Sequence, residues 1–427
     1  MPTHEALATL MVMAAVSGWL NYRYLKLPMT IGVMVLSLVG SVILTVAGSF
    51  YIGPVNSARV AVETLVRSID LHTVVMEGML SFLLFAGALH VDVRLLANYR
   101  LQVLGLAVVG TLVSTFVVGY ASSYVLNALG MDLPFIYCLA FGALISPTDP
   151  IAVLGVLKAA KVPRVVETAI AGESLFNDGV AVVVMTLLLT VISEGRNPSG
   201  HDILSLFAHE ALGGIAYGAV LGLICFNMLK TIDDYQVEVL ITVATVMGGY
   251  SLAHTLHVSG PLAMVVCGLV IGEFGRSEAM SDSTRQHLDT FWELLDTVLN
   301  AVLFLLIGLE AIVLNFSLPI LVAGGVAIVI TLAARFLTVG APVALLSGWF
   351  RLPAGSAKVL TWCGVRGGVS VALALSLPPG PHAETVVLLT YVVVIFSILV
   401  QGLTVARVAR GALGPAATAD AGSAGHH

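Results

Sequence analysis

Thirteen apolar runs, most of them long enough to cross a bilayer as a helix, fill nearly the whole chain, and they fix its solvent before any motif is considered. A hydrocarbon core about 30 Å thick takes about 20 residues at the 1.5 Å rise of an α-helix. Read between polar or Gly/Pro punctuation, the runs lie near 3–22, 29–47, 69–90, 99–126, 133–157, 163–193, 204–231, 235–257, 260–275, 284–309, 316–347, 355–378 and 384–410. An all-α polytopic membrane protein is therefore expected. The composition agrees: 58% of residues are hydrophobic and only 10% charged, against roughly 25% charged in a soluble domain. With a net charge of −6 and no basic stripe, the chain has no surface for phosphate backbones, and nucleic acid is excluded as a partner.

The first run begins with Glu5 and has no basic segment ahead of it, so it reads as a retained helix rather than a cleaved leader. Residues 411–427, rich in Ala and Gly, read as a disordered tail. The four cysteines, Cys138, Cys225, Cys267 and Cys363, all fall inside apolar runs without metal-ligand spacing, and are expected to pack as small core residues.

An odd number of spans puts the termini on opposite faces. With the N-terminus outside, the inner loops hold fourteen of the nineteen Lys and Arg residues, among them Lys26, Lys158, Lys161, Arg351 and Arg410, while the outer loops hold Arg59, Arg67 and Arg196. Basic loops stay cytoplasmic, so the C-terminus is expected inside, in a cell (inner) membrane. Run starts at 3, 29, 69, 99, 133 and 163 are followed by starts at 235, 260, 284, 316, 355 and 384, offset by 215 to 232 residues with the run at 204–231 as a linker. Seven runs separate equivalent starts, so the two six-helix halves enter from opposite sides, as the inverted repeats of many secondary transporters do.

The fifth and twelfth runs, equivalent in this scheme, are each interrupted: one by Ser146-Pro147-Thr148-Asp149-Pro150, the other by Gly364-Val365-Arg366-Gly367-Gly368. Prolines remove donors and clash with the preceding turn. Unwound backbone at mid-membrane survives only where it is buried or lines an aqueous cavity. Asp149 and Arg366 place ionisable groups at both breaks, and in a membrane such groups mark a pathway. The sixth run contributes Glu173-Ser174-Leu175-Phe176-Asn177-Asp178. There, i,i+4 spacing stacks Ser174 with Asp178 and Glu173 with Asn177. Hydroxyl and carboxylate oxygens suit Na⁺ or a proton, whereas Glu173 needs a cationic partner, for which Arg335 and Arg366 are both candidates. Glu77, in the third run, is a secondary candidate near the polar start of its span. His254 and His257 sit at a helix end and read as interfacial. No metalloprotease, nucleophile-elbow or nucleotide-loop signature is present, so neither an enzyme nor a cofactor is expected.

The runs Ile145–Asp149, Gly172–Ala181 and Gly364–Ser370 resemble those of bacterial and eukaryotic sodium/proton exchangers of the NhaP and NHE type, in the same order and in the same segments. The resemblance extends over residues 3–410 and implies an NhaA-like transporter fold with two crossing discontinuous helices. It also implies a homodimer whose interface part is 1–90 and 235–309 and whose mobile core is 99–193 and 316–410. Carried onto this sequence, it makes Asp178 the shared cation and proton carboxylate. Ser174, Asp149 and Thr148 become further Na⁺ ligands, Asn177 a supporting residue, Glu173–Arg335 a structural ion pair and Arg366 a support for the crossing. Many relatives carry an acid after a Leu-Phe pair in the third helix, where this chain has Ala86 after Leu84-Phe85.

The expected function is exchange of Na⁺, with Li⁺ as a further substrate, for H⁺ by alternating access, one for one and electroneutral, in the service of pH homeostasis. K⁺/H⁺ exchange at the same residues is the rival within transport. A cation channel should conduct without coupling to pH, and an intramembrane enzyme should show turnover.

Overall fold

The computed structural model describes residues 3–49, 53–194 and 200–423, and every regular element among them is helical. Nine helices in these residues are long and apolar enough to span a membrane: Met29–Gly48, Leu71–Leu89, Arg100–Ala128, Arg164–Ser193, Leu204–Leu229, Tyr235–Thr255, Asp282–Glu310, Leu318–Leu345 and Pro381–Leu413. Each overlays one of the apolar runs. Gly260–Gly275 is a shorter apolar helix, and Thr3–Leu20 covers the first run. In a bilayer every backbone donor and acceptor must be satisfied within the chain, which is why these runs all become helices.

Both interrupted runs are broken. The fifth divides into Phe135–Ile145 and Ile151–Ala159, and the twelfth into Ser356–Trp362 and Gly368–Leu375. The two unwound segments meet: the Asp149 N–H donates to the Val365 carbonyl at 2.7 Å. Pairing one break with the other satisfies backbone groups that the helices release.

Close packing around the crossing depends on absent side chains. A Cβ at Gly142 would overlap the Thr115 carbonyl, so Phe135–Ile145 lies directly against Gly110–Ala128. One at Gly367 would overlap the Asp149 carboxylate. Elsewhere in the core, Trp292 is fully buried against Phe82, Phe85 and Phe291, and its indole N–H donates to Thr242 at 3.2 Å. Leu240, Val329 and Val12 are each more than 60% exposed. On a helix of this hydropathy such an outer face is what lipid covers.

Two features differ from the sequence expectations. Residues 53–67, taken as part of an outer loop, form the helix Gly53–Arg67. Its apolar Val62, Leu65 and Val66 are buried or half-buried on one side while Arg67 pairs with Glu63 at 3.1 Å on the other; a search for uniformly apolar runs passes over such an amphipathic element. The last helix, Leu403–Ser423, continues past Gly411 where a disordered tail is expected, and alanines, the strongest helix formers, occupy much of that stretch. Arg196 and the end of the tail from 424 lie outside the described residues.

Candidate functional site

The centre of the site is Asp178 on the Arg164–Glu194 helix, 7% exposed, facing the break of the fifth run. A cavity of about 50 Å³ lies against it, lined by Thr148, Asp149, Asp178 and Asn300 together with Gly367 and Ser370 from the other break. The third helix closes the cavity with Leu80, Leu83, Leu84 and Gly87, all without charge.

The polar groups around Asp178 are tied to one another. Thr148 and Ser174 share a hydroxyl–hydroxyl hydrogen bond of 2.8 Å, with both side chains buried. The Asn177 amide grips the break twice: its Nδ2 donates to the Thr148 hydroxyl at 3.0 Å and its Oδ1 accepts from the Thr148 N–H at 3.3 Å. Asn177 therefore spends its oxygen on holding unwound backbone and presents none to the cavity. Thr148, Asp149 and Asp178 line the cavity with hard oxygens of the kind that replaces water around Na⁺, whereas Ser174, bonded to Thr148, is not part of its lining. No group of His, Cys, Asp and Glu with the arrangement of a resident metal centre occurs among the described residues.

Five residues before Asp178 on the same helix, Glu173 makes a two-pronged ion pair with Arg335: Nη2 donates to Oε2 at 2.8 Å and Nη1 to Oε1. Arg335 Nη2 also donates to the Leu360 carbonyl at 3.1 Å, at the end of the half-helix that precedes the second break. All three groups are buried. Of the two arginines open to Glu173 on sequence alone, the hydrogen bonds go to Arg335. The Arg366 side chain donates to the Gly364 carbonyl at 2.9 Å within its own break. The Arg366 N–H donates to Ser397 at 2.9 Å, Ser397 donates to Gln401 at 2.6 Å, and Gln401 donates to the Trp362 carbonyl at 3.1 Å. Ser397 and Gln401 sit in a wide π-helical turn, Ser397–Gly402, which brings both side chains to the unwound strand.

Glu77 stands apart. It is exposed, lies in the turn Val74–Met79, and does not line the Asp178 cavity. Two residues that the sequence reading did not select do belong here. Asn300 lines the cavity and is 1% exposed. Asp296, one turn earlier, accepts from the Asn300 Nδ2 through its side-chain Oδ1 at 3.1 Å and its carbonyl at 2.8 Å. The signal available in the sequence was an i,i+4 polar pair in the middle of the run 284–309, easily passed over because Asp289 and Glu293 precede it in the same run.

A family model described as the transmembrane sodium/hydrogen exchanger matches residues 11–411. A Na⁺/H⁺ antiporter, NhaP, of Pseudomonas aeruginosa is 48% identical over 412 residues, covering 95% of this chain and 96% of that protein. The Na⁺/H⁺ antiporter NhaH of Halobacillus dabanensis is 39% identical, over 72% of this chain and 75% of its own. The structure of a sodium proton antiporter from Methanocaldococcus jannaschii superimposes with a TM-score of 0.75 over 97% of this chain and 100% of that one, at 19% identity, a likeness of fold. With a family model spanning nearly its whole length, and a relative alike from end to end, the chain belongs to the sodium/hydrogen exchanger family.

Proposed function

We propose that this protein is a secondary active transporter, not an enzyme, exchanging Na⁺ for H⁺ across a cell membrane, with Asp178 as the carboxylate that binds either ion. The observation that supports this most is the position of Asp178: a buried carboxylate beside two hydroxyls and a second carboxylate, where two unwound helix segments meet. A carboxyl that must lose its proton before it can hold a metal cation makes the two ions compete, and competition at a site open to one side at a time is sufficient for exchange.

The finer architecture in this reading is a thirteen-span, NhaA-like fold of inverted repeats. The nine long helices, Thr3–Leu20, Gly260–Gly275 and the two interrupted helices supply that number among the described residues. A funnel of about 1020 Å³ leads toward the site, and its lining includes Lys26, Lys161 and Arg410. Cationic groups favour the cytoplasmic face, so the funnel opens inward, the C-terminus is cytoplasmic and the described conformation faces inside. In this reading the protein is a homodimer, as the likeness to its family implies, with the first helix, where Leu7, Val12 and Val16 are 50% exposed or more, in the interface part.

Charge at the crossing supports a one-for-one stoichiometry. Asp149 and Asp178 line one cavity; Glu173, Arg335 and Arg366 line the small cavity on the other side of the crossing. Together they hold one more acid than base, a difference that one monovalent cation or one proton removes, while Asn177 adds no charge. Exchange by this route is electroneutral, with Li⁺ as an alternative substrate and K⁺ as the rival.

The test is proton flux in sealed liposomes containing the purified chain, driven in turn by Na⁺, Li⁺ and K⁺. Asp178→Asn keeps the shape of the side chain but can neither release a proton nor neutralise a cation, and abolishes flux; retained flux removes the assignment. With the potential clamped by K⁺ and valinomycin, the rate for the unmodified protein stays constant. A potential-dependent rate means more than one proton moves per cation and brings Asp149 into proton transfer.

A further inference from the structure

Between the open funnel and the closed cavity stands one side chain: among the described residues, Asn300 alone lines both. Its orientation is fixed. The amide nitrogen is bonded to the Asp296 carbonyl at 2.8 Å and to the Asp296 carboxylate at 3.1 Å, both one turn back along the helix toward the funnel. The amide oxygen is thereby turned away from Asp296, and it has no hydrogen-bond partner although the residue is 1% exposed. A buried carbonyl oxygen without a donor is unfavourable unless something electropositive visits it. Asp296 is half-buried and is the sole acid among the described residues lining the funnel, where Lys26, Lys161 and Arg410 supply positive charge. A cation arriving through that funnel passes three like charges and then meets one carboxylate.

We propose that Asp296 and Asn300 form a loading site that draws a small alkali cation to the funnel floor and passes it, by way of the Asn300 side-chain oxygen, to Asp178. This step rests on the assignment of Asp178 as the cation carboxylate. Asn300 turns its nitrogen, not its oxygen, to the Asp296 carboxylate, at 3.1 Å, so the two side-chain oxygens face different ways and mark successive positions on one path rather than a single coordination shell. Asp296 acts by local field, concentrating cations where the neighbouring cations would deplete them. Asn300 offers a neutral oxygen that replaces hydration without competing with Asp178 for a proton. Both are positioning residues for loading, since Asp178 remains the group that exchanges.

The experiment compares the Na⁺ dependence of proton flux in liposomes for the unmodified chain, Asp296→Asn, Asp296→Glu and Asn300→Ala, with melting temperature in detergent as the folding control. Asp296→Asn is expected to raise the apparent KM for Na⁺ by about fivefold, within the range of electrostatic concentration effects, with the maximal rate changed less than about twofold. Asp296→Glu, which keeps the charge at altered length, returns most of the affinity; a purely structural Asp296 would not be replaced by it. Asn300→Ala raises the KM as well. An unchanged KM in both Asp296→Asn and Asn300→Ala, or a lost maximal rate at unchanged KM, overturns the loading site. Either result alongside a dead Asp178→Asn leaves the exchange carboxylate standing, whereas flux in Asp178→Asn removes the reading on which the loading site rests.

Discussion

Glu173 and Asp178 stand five residues apart on one helix, both nearly inaccessible to solvent, and the structure treats them in opposite ways. Glu173 faces Arg335 and shares a small cavity with it and Arg366. Asp178 shares its cavity with a second acid and with no base among the described residues. A carboxylate matched to a guanidinium in two places is fixed in charge, and buried it acts as structure. One that faces another acid has no fixed counter-charge, and either a bound cation or a proton can remove its negative charge. One helix thus carries a carboxylate with a fixed basic partner and one whose cavity holds no base among the described residues, and in the proposed reading the turn between them separates structure from transport.

The comparison breaks most visibly on the matched side. Glu173→Ala strands the buried Arg335 charge and is expected to cost about 3–5 kcal/mol, read as a large fall in melting temperature in detergent. Ion affinity in the surviving fraction should change far less. An unaltered melting temperature would mean that the pair does not hold the Leu318–Arg335 helix to the Arg164–Glu194 helix. The smallest effect sharpens the contrast from a third carboxylate. Glu77 is exposed and does not line the Asp178 cavity, so Glu77→Gln should leave both the Na⁺ dependence and the maximal rate of exchange within about twofold of the unmodified protein, as surface substitutions away from a site generally do. A larger change in either would give the third helix a part in ion binding despite Leu83, Leu84 and Gly87 being its nearest contributions.

The site was legible where local chemistry was loud. Prolines flanking Thr148-Asp149 and glycines flanking Arg366 announce broken helices from the backbone alone, and Asp178 follows from a carboxylate in a lipid-length run. What stayed hidden needed tertiary contacts. Whether Arg335 or Arg366 answers Glu173 depends on how the Leu318–Arg335 helix packs, and spacing along the chain says nothing of that. Asn300 is uncharged and Asp296 follows Asp289 and Glu293 in the first half of its run, so neither stands out within its own segment; in the loading proposal they matter because that helix runs between funnel and cavity. The Gly53–Arg67 helix escaped for a related reason, its apolar residues being confined to one side.

The central claim is that one carboxyl serves both ions, and the pH dependence of the Na⁺ affinity tests it most directly. In liposomes containing the purified chain, flux is measured against Na⁺ concentration at a series of fixed pH values. For a single shared site, acidification protonates Asp178 and removes the cation's ligand. The apparent KM for Na⁺ should therefore rise as pH falls, approaching about tenfold per unit, the proportionality that binding of one proton imposes, while saturating Na⁺ restores the same maximal rate. A maximal rate that falls with pH at constant KM would place the proton on a different group from the cation and contradict the account.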